Sequence, residues 1–554
     1  MNLRSTKMKA VVAIVLFDLV IACAAAETIH VPRDYQSISV AISNSSKGDT
    51  ILVEPGVYYE SIQMKPGITL RSSGDNTAGK QGMRRAEVTI LDGSKLKRKS
   101  LVTMANDSVL DGFTVRNLGN YDEKKWNSHY KTQGNNQPHE HIGRASRAPV
   151  LIACSSCKVL NNIVHHNGHS GIVINGSQSK DSKPHVKSNI CYRNMGAGIS
   201  AMLGTQAVIS QNQCYENFYA GIGHNNASPH VFENVCYKNI RAGIGISNGA
   251  CPLVEDNKCF KNRRAGIGSR TGKNTQPMIR SNQCYENDMA GIGSEENAAP
   301  VIVENRCFKN KLAGIGTRLH ASPTIVGNHS YENGKAGIGS EGDSTPLIVD
   351  NVCERNSTSG IGFAPCTKGS ARVLNNRLKD NRLVAIGIHS GWKVYAAGNQ
   401  LYRLGGMPPL VMVFQGAKAK FVSNEMKGGG VAGIRCAGEL VISQCDITGF
   451  EIRESGPPNF GVWALPGAVV KCNGNTFANW RHAVSTNGAK IEILDSRVKN
   501  YSKFAFVVMQ PKEGSTISNN VLSGAQASES YYRTDQPDRL IVSGNRSTKG
   551  KSRD

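Results

Sequence analysis

The chain has 554 residues, a formal net charge of +23, 58 glycines and 15 cysteines. Beyond the N-terminal leader, no apolar run is long enough to cross a bilayer as a helix, which excludes a membrane protein built from several helices. Such a basic chain favours polyanionic partners, although solubility alone is the alternative explanation for a charge that is spread along its whole length.

The N-terminus has the pattern of a secretory signal peptide. Basic residues precede an apolar run over residues 10–22, and three alanines follow it. This pattern predicts a signal peptide over residues 1–26 that is removed after Ala26. A bacterial lipoprotein box at Cys23 is the alternative, and only a lipidated Cys23 would attach the chain to a membrane. We therefore expect an exported protein, located in the periplasm, at the cell surface or outside the cell, where nucleic acid is not an expected partner.

A short helix is predicted soon after the leader. Residues 34–43 carry Ile38, Ala41 and Ile42 on one side of a helical turn. Such a helix would cover the first edge of a β structure, because uncovered strand edges invite association.

A long insertion follows the strand-like residues 109–115. It covers residues 118–148 and is rich in aromatic and titratable side chains, and a histidine-rich turn lies at residues 165–169. Long connections in compact folds are usually functional or disordered. If both segments are turns of successive coils, they are stacked neighbours, and up to six of the 14 histidines converge there.

Eight Gly-Ile motifs recur through the middle of the chain. Their first glycines are Gly198, Gly221, Gly243, Gly266, Gly291, Gly314, Gly337 and Gly360, at steps of 22 to 25 residues. A fixed period of this size is typical of a solenoid and is too short for two packed helices. Because short β-branched segments separate the motifs, each repeat is predicted to form one coil of a parallel β-helix, with like residues stacked about 4.8 Å apart.

Two columns of residues repeat in phase with these motifs. The first is Asn189, Asn212, Asn234, Asn257, Asn282, Asn305, Asn328 and Asn351. We expect these asparagines to adopt the left-handed conformation of a bend and to bond to the amides above and below. The second column is Cys191, Cys214, Cys236, Cys259, Cys284, Cys307 and Cys353, interrupted by Ser330. We interpret it as buried thiols, with a metal-binding row as the alternative.

The opening of the mature chain carries a family resemblance. It contains Ile29-His30-Val31-Pro32-Arg33-Asp34-Tyr35-Gln36-Ser37-Ile38, Gly48-Asp49-Thr50-Ile51-Leu52-Val53 and Pro55-Gly56-Val57-Tyr58-Tyr59-Glu60. These motifs resemble the start of right-handed parallel β-helix proteins of the pectin-lyase-like superfamily. The resemblance is strongest to secreted members whose repeat also occurs in alginate epimerases and in the copper-processing accessory protein of nitrous oxide reductase. It implies an all-β, single-stranded right-handed parallel β-helix with a short N-terminal capping helix.

The predicted solenoid covers residues 27–545. Its regular coils lie over about 160–365, with irregular coils before and after them, and residues 546–554 are expected to form a disordered tail. We expect a monomer.

The resemblance places substrate along the sheet that contains the Gly-Ile motifs. If the isoleucines point inward, the flanking glycines point outward and form a strip almost free of side chains. The predicted substrate-binding residues are Trp126, Tyr130, Tyr219, Arg241, Arg264 and Lys335, with Lys311 on the same rim. The opposite rim is predicted to carry His224, Arg270, Glu295, Arg318, His320 and Glu341.

The candidate catalytic residues come from the histidine-rich segments. They are His139, His141, His166, His169 and Arg144. A histidine could remove the C5 proton of a uronate while Arg144 or Arg147 offsets the carboxylate charge, which gives β-elimination or epimerisation. Alternatively, these four histidines with Glu140 could hold a divalent metal such as copper or zinc. No metal ligand is assigned, and no cofactor is required by the sequence.

The leading hypothesis is an exported protein that binds an acidic polysaccharide and could cleave it by β-elimination or epimerise it. The sequence leaves open whether the protein is an enzyme, because the characteristic motifs of polygalacturonases, pectin esterases and alginate epimerases are absent. A non-catalytic binding scaffold at the surface or in the periplasm is one alternative. A metal-handling accessory protein, for copper in particular, is the other.

Overall fold

The computed structural model describes residues 25–96, 100–132, 147–176, 181–524 and 530–549. Most of the predicted signal peptide, including Cys23, lies outside these residues. The described chain winds into a right-handed parallel β-helix in which every strand pairs in parallel with the equivalent strand of the next coil. The all-β fold predicted from the repeat is thus confirmed.

Each coil contributes one short strand to each of three sheets. The first sheet contains Thr28–Val31, Thr50–Val53, Thr69–Ser72, Ser108–Asp111, Cys157–Leu160, His185–Lys187, Val208–Ser210, His230–Phe232, Leu253–Glu255, Met278–Arg280, Val301–Val303, Thr324–Val326, Leu347–Val349, Gly369–Leu374, Trp392–Ala397, Lys418–Val422, Glu439–Ser443, Val469–Asn473, Lys490–Leu494, Ser515–Ser518 and Leu540–Ser543.

The second sheet follows the first along each coil. It contains Gly56–Tyr58, Thr89–Asp92, Thr114–Arg116, Ile163–His165, Ile190–Tyr192, Gln213–Tyr215, Val235–Tyr237, Lys258–Phe260, Gln283–Tyr285, Arg306–Phe308, His329–Tyr331, Val352–Glu354, Arg377–Lys379, Gln400–Arg403, Glu425–Gly428, Asp446–Thr448, Thr476–Trp480, Arg497–Tyr501, Val521–Gly524 and Arg546–Lys549.

The third sheet contains the Gly-Ile motifs. Its strands are Ile62–Gln63, Val102–Thr103, Val150–Ile152, Ile172–Asn175, Ile199–Met202, Ile222–Asn225, Ile244–Ser247, Ile267–Arg270, Ile292–Ser294, Ile315–Thr317, Ile338–Ser340, Ser359–Phe363, Val384–Ile388, Val411–Val413, Ala432–Cys436, Phe460–Ala464, His482–Asn487, Phe506–Met509 and Tyr532–Thr534.

Short helices cover parts of the solenoid. The helix α1 (Ile38–Asn44) buries Ile38, Ala41 and Ile42 against the first coil, which confirms the predicted cap. The helices α2 (Arg84–Val88) and α3 (Glu123–Lys131) lie in connections to later strands, and two 3₁₀ turns lie at Gly93–Lys95 and Pro537–Arg539. None of the helices in the described residues has the length and apolar character of a membrane span.

The core consists of columns that the repeat predicted. The isoleucine that follows the first glycine of each motif is fully buried, as Ile222, Ile244 and Ile267 show. The cysteine column is also buried, with Cys214 registered on Cys236, and its thiols are unbridged. These cysteines act as small apolar residues, and burial raises the pKa of thiols such as Cys353 far above its usual range.

The asparagine columns form hydrogen-bonded ladders, but their backbone differs from the prediction. The Asn257 side-chain oxygen accepts from the backbone N–H and the amide of Asn234, at 2.9 and 3.0 Å. The left-handed residue is the one before each asparagine, such as Asp256 with φ of 53°. The exposed residue before the asparagine therefore adopts the left-handed conformation that forms the bend. The asparagine keeps its side-chain amide inside the coil, where it can bond to the next coil. A second ladder runs from Asn167 to Asn381 at the next bend.

The coils continue in register beyond residue 365. Strands as late as Phe506–Met509 and Tyr532–Thr534 still pair in parallel. The last strand, Arg546–Lys549, pairs with Val521–Gly524, so the solenoid extends past the predicted end at 545. The rest of the predicted tail, residues 550–554, lies outside the described residues.

Candidate functional site

The outer face of the third sheet carries a strip almost free of side chains. Gly223, Gly245, Gly268, Gly293, Gly316, Gly339 and Gly362 form one row of it, in register from coil to coil. A Cβ placed on Gly245 or Gly268 would meet nothing closer than an alanine Cβ, at 3.5 or 3.9 Å. Alanines such as Ala265 flank the glycines, so the face is flat and open.

Only one glycine of each Gly-Ile-Gly motif lies on this face, which corrects the prediction that both do. The first glycine turns into the bend, where a Cβ on Gly266 would lie 2.7 Å from the Gly291 carbonyl oxygen and 2.9 Å from the Asn287 amide nitrogen. Gly266 is therefore required by the second asparagine ladder. Gly268, two positions on, forms the open surface.

One border of the strip, which we call the near rim, gathers several predicted residues. It contains Tyr219, Arg241, Arg264, Met289, Leu312 and Lys335, joined by backbone hydrogen bonds such as Arg264 N–H to Arg241 O. Tyr219 N–H donates to the Gly196 carbonyl, so Gly196 precedes Tyr219 in this row. His169 occupies the equivalent position one coil before Gly196, because Met195 N–H donates to the Asn167 carbonyl. The structure thus brings together four of the six predicted substrate-binding residues.

The opposite border, the far rim, carries alternating charges. It consists of Asn225, Ser247, Arg270, Glu295, Arg318 and Glu341. The Arg318 guanidinium pairs with Glu295, and Arg270 pairs with Glu296 at 3.4 Å. Next to this rim is an open hollow of about 680 Å³ whose lining includes four asparagines and Lys273. Amides of this kind suit the hydroxyl groups of a sugar.

Arginines of the two rims act on one another electrostatically across the strip. Arg264 is partly buried on the flat face, and its pKa is lowered to about 10, first by burial and then by the positive charge of Arg241, with Arg270 and Arg318 adding to it against Glu295. We call Arg241, Arg264, Arg270 and Arg318 the arginine cluster. When neighbouring cations disfavour the protonated form of a guanidinium, a bound anion stabilises that form.

The helix α3 forms a wall beside the near rim. Trp126 is 2% exposed and packs with Met195, Phe218 and Ile240, which lie one position before the rim on successive coils. Its indole N–H donates to the Glu216 carbonyl at 2.7 Å. Helix α3, in the described part of the insertion, therefore lies beside the strip.

The contacts of Trp126 and Tyr130 are packing contacts. The Arg193 guanidinium lies 3.7 Å from the Trp126 ring centroid, and Tyr130 stacks on the other side of the indole at 4.8 Å. Arg263 donates to the Thr132 carbonyl at 2.6 Å and fixes the end of the helix. In this arrangement the indole face of Trp126 is not open to a ligand.

The histidine-rich segments stack as predicted, and the described histidines of the turn have different neighbours. His165 and His166 contact each other, with their Nδ1 atoms 2.7 Å apart. Leu118 N–H donates to the Asn167 side chain and Gly168 N–H to the Leu118 carbonyl, so the insertion and the turn are neighbours. His166 turns to the outer bend against Tyr121, with ring centroids 4.7 Å apart, whereas His169 lies on the near rim. Burial lowers the pKa of both imidazoles, so both are neutral at pH 7. His139, His141 and Arg144 lie outside the described residues.

Three other predicted rim residues have different positions. His224 faces the core at 3% exposure, because it is the second residue after the inward Ile222. Lys311 belongs to the row of Arg263 and pairs with Asp288 at 2.7 Å. His320 is exposed in the turn beyond the far rim. Among the described residues, no group of three or more histidine, cysteine, aspartate or glutamate residues is placed to hold a metal ion.

The sequence interpretation missed the later part of this face. In the C-terminal coils the glycine row continues as Met412, Arg435, Trp463 and Ser485. The signal available was the alternation of Val462, Trp463 and Ala464, which places Trp463 outward between two buried residues, but the degraded repeat concealed it.

Comparison with known proteins agrees with this architecture. Residues 148–283 and 272–401 match the family model of the right handed beta helix region. None of the curated proteins compared with the chain matches it.

Solved structures resemble the chain at low identity. The periplasmic alginate epimerase AlgG is 14% identical, over 68% of this chain and 84% of that chain, with a TM-score of 0.39. The Azotobacter vinelandii mannuronan C-5 epimerase AlgE4 A-module is 10% identical, over 84% and 92%, with a TM-score of 0.33. The bacteriophage Phi29 gene product 12 N-terminal fragment is 11% identical, over 91% and 89%, with a TM-score of 0.29. The coil register and the matched region, residues 148–401, show that the chain has a right-handed parallel β-helix fold.

Proposed function

We propose that the protein is exported and binds an acidic polysaccharide along the strip between the near rim and the far rim. The observation that carries the proposal is the arginine cluster over a face without side chains. A sugar ring can approach the backbone closely at the glycine row. The guanidinium groups can then pair with carboxylates on successive sugars, often with two hydrogen bonds each.

The outer face of the second sheet offers a contrast. Tyr192, Tyr215, Tyr237, Phe260, Tyr285, Phe308 and Tyr331 stack there with centroids 4.8 to 5.0 Å apart. Each interior ring of this stack has both faces covered by its neighbours. The aromatic stack therefore stabilises the register of the coils, and its ring faces are not available to sugars.

Elimination or epimerisation of the bound polymer is a second candidate function. It is favoured by His169, whose neutral imidazole stands at the head of the near rim with the positive charge of Arg147 nearby. A neutral ring nitrogen can accept the C5 proton of a uronate, and a cation beside it lowers the cost of the resulting negative charge. His139, His141 and Arg144 remain candidates in the same segment. Unsaturated products absorb in the ultraviolet, and epimerised ones change the proton spectrum, so both reactions can be followed directly.

The binding proposal is tested with two double variants of equal charge. Arg241→Ala/Arg264→Ala removes half of the arginine cluster, and Arg306→Ala/Arg377→Ala removes two arginines from the second sheet. Calorimetric titration with polygalacturonate and alginate should show affinity at least about tenfold weaker for the first variant, the effect of losing about 1.4 kcal/mol. The second variant should bind like the parent.

A charge inserted into the strip gives an independent test. Gly293→Glu places a carboxylate among the arginines, where a Cβ meets only an alanine Cβ at 3.7 Å. Gln283→Glu adds the same charge to the same coil on the second sheet. Equal loss of affinity in both variants, or in both arginine pairs, would show that net charge alone drives binding and would refute the site.

A further inference from the structure

The C-terminal coils place a cation and aromatic rings on the same outer face. Arg435, Trp463, Ser485 and Val507 are registered on one another along the continuation of the glycine row. Phe460 and His482 are registered side by side in the neighbouring outer row. This group lies several coils beyond the arginine cluster and shares no residue with it.

Trp463 has one side covered and one side open. The Arg435 guanidinium lies 5.0 Å from the Trp463 ring centroid on the preceding coil, and the Phe460 ring meets the indole edge-on at 6.0 Å and 85°. On the following coil the equivalent residue is Ser485, whose side chain is short. Because coils are spaced about 4.8 Å apart, a short residue there leaves the second face of the indole uncovered. We call this space, with Ser485 as its floor, the serine hollow.

His482 supplies a hydrogen-bond acceptor at the edge of the hollow. Its Nδ1 lies 2.7 Å from the Phe504 carbonyl oxygen, which can only accept, so Nδ1 carries the proton and Nε2 carries the lone pair. Burial lowers the pKa of this imidazole, so it is neutral at pH 7. Its ring packs against Phe460, with centroids 5.3 Å apart, which fixes its orientation.

Arg435 retains capacity for an anion. Its hydrogen bond goes to the Met412 thioether at 3.9 Å, a weak acceptor, and the ion pairs of the described residues do not include Arg435. A carboxylate at the edge of the indole would give this guanidinium a strong partner.

We propose that the serine hollow binds one pyranose ring of a uronate-containing saccharide. The C–H face of the ring lies on the open face of Trp463, a ring hydroxyl donates to His482 Nε2, and the carboxylate reaches Arg435. The choice of an acidic sugar rests on the proposed function, whereas the stacking geometry does not. The hollow would thus be a second, separate contact for the same class of polymer.

Tryptophan fluorescence can report on this site alone. Trp126, Trp392 and Trp480 are 2%, 0% and 2% exposed, so Trp463 is the tryptophan that a saccharide can reach. Titration of the full chain with short galacturonate and mannuronate oligosaccharides should change the emission in a saturable way. Trp463→Phe should abolish the change.

The deciding variant fills the hollow. Ser485→Phe should weaken the titration by about tenfold or more, which corresponds to about 1.4 kcal/mol. Ser370→Phe, the same change at an exposed position of the first sheet, should leave the titration unchanged. Circular dichroism establishes that each variant is folded.

The outcomes separate this inference from the proposed function. Loss of polymer binding in Arg241→Ala/Arg264→Ala with an intact Trp463 signal is expected, because the sites share no residue. No emission change with any acidic oligosaccharide, an unaltered titration in folded Ser485→Phe, or a signal from neutral oligosaccharides alone would overturn the inference.

Discussion

His224 is a buried polar residue between two apolar neighbours in its column. Its registered neighbours are Ala201 and Ile246, its Nδ1 lies 3.0 Å from the Gly245 carbonyl, and its buried Nε2 has no partner among the described residues. Burial lowers its pKa to about 4. The core therefore holds a neutral imidazole, whereas the same side chain exposed to water would take up a proton at a higher pH.

Replacing His224 with isoleucine should remove a pH dependence of stability. An unfolded histidine binds its proton near pH 6.5, whereas the folded one does so near pH 4. The unfolded state therefore takes up the proton first as the pH falls between these values, which costs the native state about 3 kcal/mol. His224→Ile should lose less stability between pH 7 and pH 4, as measured by denaturant unfolding. Parallel pH profiles for the two proteins would contradict this assignment.

The two glycines of one motif should respond differently to a methyl group. Gly266→Ala places a Cβ 2.7 Å from the Gly291 carbonyl oxygen and should cost about 1–3 kcal/mol, because backbone must move. Gly268→Ala places it 3.9 Å from the nearest atom and should change stability by less than about 0.5 kcal/mol. Melting temperatures of the two variants test the difference. Equal melting temperatures would mean that the bend tolerates a side chain.

The asparagine ladder is the element that joins one coil to the next. Asn257 donates to the Val231 and Glu255 carbonyls at 2.9 and 2.8 Å and accepts two bonds from Asn234. Asn257→Gly would leave these buried groups without partners, and each unpaired group costs about 1–3 kcal/mol. We expect a large loss of stability, together with faster hydrogen exchange in this coil and its neighbours.

The preceding residue provides the matched control. Asp256 holds a φ of 53°, which glycine adopts without strain. Asp256→Gly should therefore leave stability unchanged within about 1 kcal/mol. If Asn257→Gly were the milder of the two changes, the asparagine itself would be the bend residue, as the sequence first suggested.

Elements that repeat could be predicted, and contacts that occur once could not. The periodic isoleucines and cysteines gave the sheets and their register, because like residues a fixed distance apart must stack. Most residues of the near rim could be predicted from the same repeat, because they occupy equivalent positions in successive coils. The position of His224 was also available, since alternation from Ile222 turns it inward. No local signal places Trp126 against Phe218, because that contact joins an insertion to coils distant in sequence.

At the scale of the whole molecule, the outer faces of the second and third sheets differ in how much surface they leave open to a ligand. In the second sheet, the faces of the aromatic rings are covered because the rings stack on one another between coils. The third sheet keeps an open strip from Gly223 to Gly362, with cations on both rims. The net charge of +23 attracts polyanions to the whole surface, but salt screens this attraction beyond about 8–10 Å. Contacts on the strip should therefore survive at salt concentrations that abolish general attraction.

The length of the strip sets the length of the saccharide that fills it. Seven registered glycines span six coil spacings between Gly223 and Gly362, or about 29 Å at about 4.8 Å each. Each added sugar within that length can meet another part of the face, so affinity should rise with chain length and then level off. Calorimetric titration with size-fractionated uronate oligosaccharides, at an ionic strength high enough to screen distant charges, measures this dependence.

The control for this length dependence is a strip shortened without a change of charge. Gly316→Phe should obstruct the face near its middle, where a Cβ already lies 3.3 Å from the Ala290 Cβ. The plateau should then move to shorter oligosaccharides, because only one segment of the strip remains continuous. A plateau that stays in place, or an affinity that does not depend on length, would mean that the polymer contacts another surface.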